Sequence, residues 1–174
     1  RYSKTGADVT TAAIRLAQEK KKVALIENTF VGGTCLNRGC IPTKALLAAS
    51  ERLLKIKEAK NFNISVPSVS FDFSKIAKDK NVTVEQLRKN LENTIKSWGV
   101  DIIYGTGTFV DRKTIAIDGA TKRTISAKQI IIATGSEPKE FIQFPFDGTF
   151  IHSSTSILNI EKLPKKIAIV GGGA

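Results

Sequence analysis

The sequence predicts an α/β fold built around a parallel sheet, and three features point to it. A helical run at 10–20 leads directly into the apolar stretch Val23-Ala24-Leu25-Ile26. Two later stretches, Val100-Asp101-Ile102-Ile103-Tyr104 and Gln129-Ile130-Ile131-Ile132-Ala133, read as further strands, the second of them buried. Between them lie strand-like pieces at 114–117 and 123–126, separated by the turn residues Asp118 and Gly119, which read as a β-meander.

In the first helix Ala12, Ala13, Leu16 and Ala17 form a small-residue face suited to packing closely on a sheet. The strand after it ends in Glu27. A helix, a strand and then an acid make up the second half of a dinucleotide-binding βαβ unit, where the acid hydrogen-bonds ribose hydroxyls. Glu27 follows Gly6 by about twenty residues, the spacing such units use. The first half departs from the pattern. A G-x-G-x-x-G fingerprint would fall on Lys4-Thr5-Gly6-Ala7-Asp8-Val9, where only Gly6 matches. Lys4 and Val9 stand where glycines permit the tight turn and the close helix–strand approach, Asp8 brings a negative charge toward the pyrophosphate position, and Arg1-Tyr2-Ser3 is no buried strand.

The chemistry concentrates in Val31-Gly32-Gly33-Thr34-Cys35-Leu36-Asn37-Arg38-Gly39-Cys40-Ile41-Pro42-Thr43-Lys44, which holds both cysteines of the chain. A pair this close can exchange two electrons as dithiol and disulfide. It lacks the second Cys/His pair that would complete a zinc site, since the single histidine, His152, is remote in sequence. On a regular helix, residues five apart have Cα atoms about 8.7 Å apart, beyond the ~7 Å limit for a bridge. A Cys35–Cys40 disulfide therefore requires a distorted turn, which Gly39 can supply. Pro42 presets a first helical turn, putting Cys40 at or just before a helix N-terminus, where the dipole favours a thiolate. Lys44 adds a fixed charge one turn on. Cys40 is thus the candidate thiolate and Cys35 the thiol that meets a substrate. The competing structural reading is a static disulfide or two buried thiols.

A helix at 45–60 follows, then a loop at 61–73 with a short strand at 64–66. Val84, Leu87, Leu91, Ile95 and Trp98, spaced 3, 4, 4 and 3, mark the buried stripe of a second helix that Gly99 stops. Thr83 with Gln86 could cap it. After the meander, the 129–133 strand ends in Thr134-Gly135-Ser136, where a glycine lets backbone approach a ligand between two hydroxyls; a plain turn is the alternative. The connector at 151–163 carries His152, read as a structural or surface residue. The stretch 165–174 reads as a strand entering a new glycine-rich turn, which divides the chain into a domain at 1–162 and the opening of a second at 163–174.

A net charge of +11 invites a nucleic-acid reading, but the lysines are scattered, no aromatic residues are interleaved with them and no recognition motif accompanies them, so no nucleic-acid partner is expected. No apolar run approaches the ~20 residues that cross a membrane, and no secretory pattern opens the sequence. Two close cysteines in an otherwise cysteine-free chain point to a reducing compartment and catalytic use. The sequence starts at Arg1 rather than Met and stops on Gly171-Gly172-Gly173-Ala174, so both ends are expected to lie inside a longer protein.

The segment Gly32–Lys44, continued by Ala45-Leu46-Leu47, resembles the redox-active segment of the flavoprotein disulfide reductases, most nearly the dihydrolipoamide dehydrogenases. From 12 to 174 the chain is similar to less than half of such an enzyme. The resemblance implies a Rossmann-like FAD-binding domain with a β-meander and the start of an NAD-binding domain. It implies that the second helix starts near Ser74, and that FAD is bound by Gly6, Glu27, Gly33, Thr34, Lys44, Gly107, Thr134, Gly135 and Ser136, with the Gly107 backbone by the adenine. A dithiol would attack Cys35, leaving Cys40 as a thiolate against the flavin, with Lys44 near its reactive edge and NAD as final acceptor. No metal is expected. The implied partners are the lipoyl groups of 2-oxoacid dehydrogenase complexes or the glycine cleavage system, in a homodimer that is cytoplasmic, or in the mitochondrial matrix of a eukaryote. The base would come from a C-terminal domain that nothing here matches, so the 174 residues alone are expected not to turn over substrate. Alternatives are a mercuric or glutathione reductase-like enzyme and a non-catalytic flavin-binding or interaction module.

Overall fold

A computed structural model describes residues 7–171 of the chain. Gly6, and with it most of the expected glycine fingerprint, lies outside the described residues.

Helix α1 (Ala7–Gln18) closes with Lys20 in the left-handed region at φ 60°. The Lys20 N–H donates to Ala17 and the Lys21 N–H to Leu16, so the last carbonyls find partners before the chain turns into the sheet. Strand β1 (Ala24–Glu27) pairs in parallel with β2 (Asp101–Tyr104), Ala24 opposite Asp101 and Glu27 opposite Tyr104. Two helices follow β1 almost without a break, α2 (Gly33–Arg38) and α3 (Cys40–Glu58). The long helix α4 (Phe73–Ser97) begins at Asp72, whose carboxylate accepts from the N–H groups of Ser74 and Lys75, and stops at Gly99 with φ 76°. Its start matches the resemblance rather than the Thr83–Gln86 cap, because Asp72 satisfies the orphan donors eleven residues before Thr83.

The main core joins Ala13 of α1, Leu25 of β1, Val31, Ile95 of α4 and Val100. Alternate small residues on α1 and large ones on α4 let both helices lie against the two parallel strands. Strands β3 (Thr106–Phe109), β4 (Thr114–Asp118) and β5 (Arg123–Ser126) form an antiparallel sheet in chain order, the expected meander, with Ile117 of β4 buried.

Four expectations change. Residues 64–66 form no strand. Neither do residues 129–133, where Ile131 is 62 % exposed. The described part of 165–174 also forms none, and Val170 is 98 % exposed. The reason is common to all three: an apolar run becomes a strand only where a neighbouring backbone takes up its N–H and C=O groups, and the described residues place no strand beside these runs. Finally, the buried face of α4 follows the apolar stripe only at Val84, Leu91 and Ile95. Leu87 and Trp98 (47 % exposed) face solvent, whereas the inward face runs Lys80, Val84, Arg88, Leu91 and Ile95.

Candidate redox and nucleotide site

The parallel strands deliver the site at their carboxyl ends, where open α/β sheets place ligands. Glu27 ends β1 with no exposed surface. Its Oε1 accepts from the Thr29 N–H at 2.9 Å and the Thr29 hydroxyl at 3.1 Å. In this conformation a ribose hydroxyl reaches Glu27 only if the adjoining loop gives way.

Next comes Val31, fully buried, then Gly32 with φ 98° and Gly33 with φ 61°. A side chain at Gly32 would strike Leu36 and come 3.1 Å from Leu91, so only glycine lets the chain turn into α2 so close to α4. Asn37 then folds back over the entry loop: its Nδ2 donates to the carbonyls of Val31 and Gly33, each at 3.0 Å.

Gly39, with φ −140° and ψ −110°, breaks the helix between the cysteines, as the geometry of a five-residue separation demands. Cys40 is the first residue of α3, and Pro42 is buried in its first turn. Both thiols are free, Cys35 half-buried and Cys40 exposed. The hydrogen bond between the Cys35 and Cys40 side chains raises the Cys35 thiol above its ordinary range; burial and the charge of Cys40 add to this, and the charge of Lys44 opposes it. Of the two sulfurs, Cys40 is the more exposed. The fold thus brings Cys35, Cys40 and Lys44 together, with Thr34 exposed and Gly33 buried beside them.

Gly135 has φ 70°, between the half-buried Thr134 and the exposed Ser136. Arg38, the last residue of α2, pairs with Glu137 at 3.6 Å and so ties this turn to the cysteine segment. Gly107 lies opposite Ile117 in the meander. A Cβ there would come 3.2 Å from Ile115 and 3.7 Å from Ile26, so this backbone sits tightly against the end of β1. His152 has its Nδ1 3.2 Å from the Ser156 hydroxyl, the structural role expected of it. Among the described residues no group of three His, Cys, Asp or Glu side chains could hold a metal ion, and no helix is long and apolar enough to cross a membrane.

The sequence reading missed Asn37, Arg88 and Lys80. Lys80 is 3 % exposed and donates to the carbonyl of Leu158. Arg88 Nε donates to Asn37 Oδ1 at 3.0 Å. A cleft of about 230 Å³ is lined by Asn37, Arg38, Pro42, Lys80 and Arg88 among others, but by neither cysteine. The available signal was spacing: Lys80, Val84 and Arg88 recur every fourth residue in line with Leu91 and Ile95.

Comparison with known proteins identifies the family and the fold. The family described as pyridine nucleotide-disulphide oxidoreductase matches residues 7–174. The chain is 46 % identical over 162 residues to a dihydrolipoyl dehydrogenase of Chlamydia pneumoniae, covering 93 % of this chain and 35 % of that protein. To a dihydrolipoyl dehydrogenase of Bacillus subtilis it is 40 % identical over 165 residues, covering 93 % and 36 %. Among solved structures, LpdA from Mycobacterium tuberculosis superposes with a TM-score of 0.82 at 20 % identity, covering 92 % of this chain and 37 % of that one. The HOCl-induced flavoprotein disulfide reductase RclA of Escherichia coli gives 0.67 at 26 % identity, covering 92 % and 34 %. The chain thus spans about a third of the length of the relatives it matches.

Proposed function

This chain belongs to the pyridine nucleotide-disulphide oxidoreductase family, and on that premise we propose that it is the FAD-binding part of a dihydrolipoamide dehydrogenase-like enzyme, with residues 1–162 forming that domain and 163–174 opening an NAD-binding one. The observation that carries the reading is the joint of α2 and α3, which sets two free thiols in hydrogen-bond contact beside a lysine.

The residues fit a flavin dinucleotide in kind. A glycine backbone at Gly107 and a carboxylate at Glu27 stand at the carboxyl end of β1, with Gly135 between two hydroxyls near the cysteine segment. Gly33, Thr34, Lys44, Gly107 and Thr134-Gly135-Ser136 would hold the group, with Gly6 and Glu27 as further candidates. When bound, FAD would supply a two-electron acceptor for the dithiol, with NAD beyond it.

The chain's own part is thiol–disulfide exchange. In the oxidised form a substrate thiolate attacks Sγ of Cys35, the Sγ–Sγ bond breaks, and the electron pair leaves on Cys40. The second substrate thiolate then attacks the substrate sulfur of the mixed disulfide and releases Cys35, which takes up a proton. The substrate is oxidised to its disulfide and the cysteine pair is reduced by two electrons. The hydrogen bond from the Cys40 side chain raises the Cys35 thiol, which favours uptake of a proton there. Lys44 supplies positive charge to the segment where negative charge develops. The relatives' names favour lipoyl dithiols as substrate, and the family resemblance extends the proposal to the lipoyl groups of 2-oxoacid dehydrogenase complexes or the glycine cleavage system, and to a homodimer that is cytoplasmic or in the mitochondrial matrix.

The test is turnover by the full-length protein with dihydrolipoamide, glutathione disulfide and mercuric ion. Dihydrolipoamide-linked NAD reduction, lost in both C35S and C40S, is expected. Turnover with only the other two substrates, or none with any, overturns the assignment.

A further inference from the structure

We propose that Arg88 is a positioning residue for the cysteine pair, acting through Asn37; the inference rests on reading Cys35 and Cys40 as a dithiol–disulfide couple. Helix α2 has six residues, and neither Gly32 nor Gly39 offers it a side-chain cap. A helix this short does not hold itself in water, so its placement comes from contacts outside it.

Asn37 provides the local part by bonding the carbonyls of Val31 and Gly33. That uses both amide hydrogens and leaves the orientation of the amide to its oxygen. The oxygen accepts from Arg88 Nε at 3.0 Å, across 51 residues of sequence. The same guanidinium lies 3.7 Å over the ring of Phe30, which precedes the entry loop. One rigid side chain on α4 thereby grips the loop before α2 at Phe30 and the last turn of α2 at Asn37.

Cys35 sits between these two grips, two residues before Asn37. Cys40 belongs to a different element, α3, fixed by the buried Pro42. The relation of the two sulfurs is therefore the relation of α2 to α3. A disulfide accepts only a narrow range of Cα separations, so loosening α2 lowers the fraction of time the thiols can join.

The experiment is equilibration of this chain in glutathione buffers of graded oxidised-to-reduced ratio. Forming the bridge converts one glutathione disulfide to two glutathiones while the two cysteines lose two electrons and two protons. In R88A the equilibrium for bridge formation is expected to fall about threefold to tenfold, in the lower part of the range of coupling between residues in one hydrogen-bonded network. R88K keeps a charge over Phe30 but lacks the planar Nε–H, and should fall nearly as far. N37A, which also removes the bonds to Val31 and Gly33, should fall at least as far, and R88A/N37A by less than the sum of the two losses.

Unchanged equilibria in R88A and R88K overturn the proposal. So do losses that add in the double variant, or unfolding of every Arg88 variant by circular dichroism, which would make Arg88 a general stabiliser. If the unsubstituted chain forms no Cys35–Cys40 bridge at any ratio, the redox reading itself fails, separately from the role of Arg88.

Discussion

Lys80, in the first half of α4, donates from its buried ammonium to the carbonyl of Leu158, 78 residues further along the chain. This one bond fastens the connector at 156–159 to the helix that also carries Arg88. Replacing the lysine by methionine keeps the aliphatic stem and removes the donor. The Leu158 carbonyl then loses its partner, and K80M should unfold about 1–3 kcal/mol more easily in denaturant. Burial lowers the Lys80 pKa from its ordinary 10.5. The folded state then binds fewer protons than the unfolded state between the two values, so this group's contribution to stability rises with pH there. The deficit of K80M relative to the unsubstituted chain should accordingly widen as pH approaches 10.5.

Asp72 starts α4 by accepting from the N–H groups of Ser74 and Lys75 and from the Ser74 hydroxyl. The Ser74 side chain and then the Lys75 N–H hold its carboxyl below the ordinary 3.8. A depressed carboxyl adds stability above its unfolded value, and that stability is lost as pH falls through the folded value. D72A should melt lower than the unsubstituted chain at neutral pH. The two melting curves should converge below pH 3.8, and a gap that persists in strong acid would contradict the assignment.

Tyr104 ends β2 opposite Glu27, and desolvation, followed by the charge of Glu92, pushes its hydroxyl up to about 12. It should ionise near pH 12 in an ultraviolet titration, and Y104F should remove that step. A raised folded value means stability is lost as pH rises from 10 toward 12. Y104F should flatten that part of the stability profile.

At the joint between the cysteines, a Cβ on Gly39 would come 2.9 Å from the Thr34 carbonyl oxygen and 3.3 Å from the Cys35 Cα. Both are backbone atoms that cannot turn aside. G39A should therefore push α2 away from α3, cost about 1–3 kcal/mol of stability as an overpacked site does, and slow bridge formation by glutathione disulfide. Unchanged bridging in a folded G39A chain would show that the joint is looser than its geometry states.

The parallel pair β1–β2, the meander and the cysteine joint were legible because their signals are local: apolar runs, turn residues and a glycine between the cysteines. What sequence alone concealed depends on the partner surface. Leu87 and Trp98 fit the helical stripe as well as Arg88 does, and only the packing of α4 against Phe30 and against Asn37 of α2 turns the arginine inward. The same holds for 129–133, where Ile131 and Ile132 have the composition of a buried strand but no strand to pair with among the described residues. Lys80 was hidden because a buried ammonium acceptable to Leu158 has no composition signal at all.

The most direct test is to oxidise this chain with glutathione disulfide, then count free thiols and map the peptides. The two sulfurs should disappear together, with the mass falling by two hydrogens and one peptide pair joined at Cys35 and Cys40. Separate glutathione adducts on each cysteine, with no bridged peptide at any ratio of oxidant, would contradict a redox couple at the α2–α3 joint.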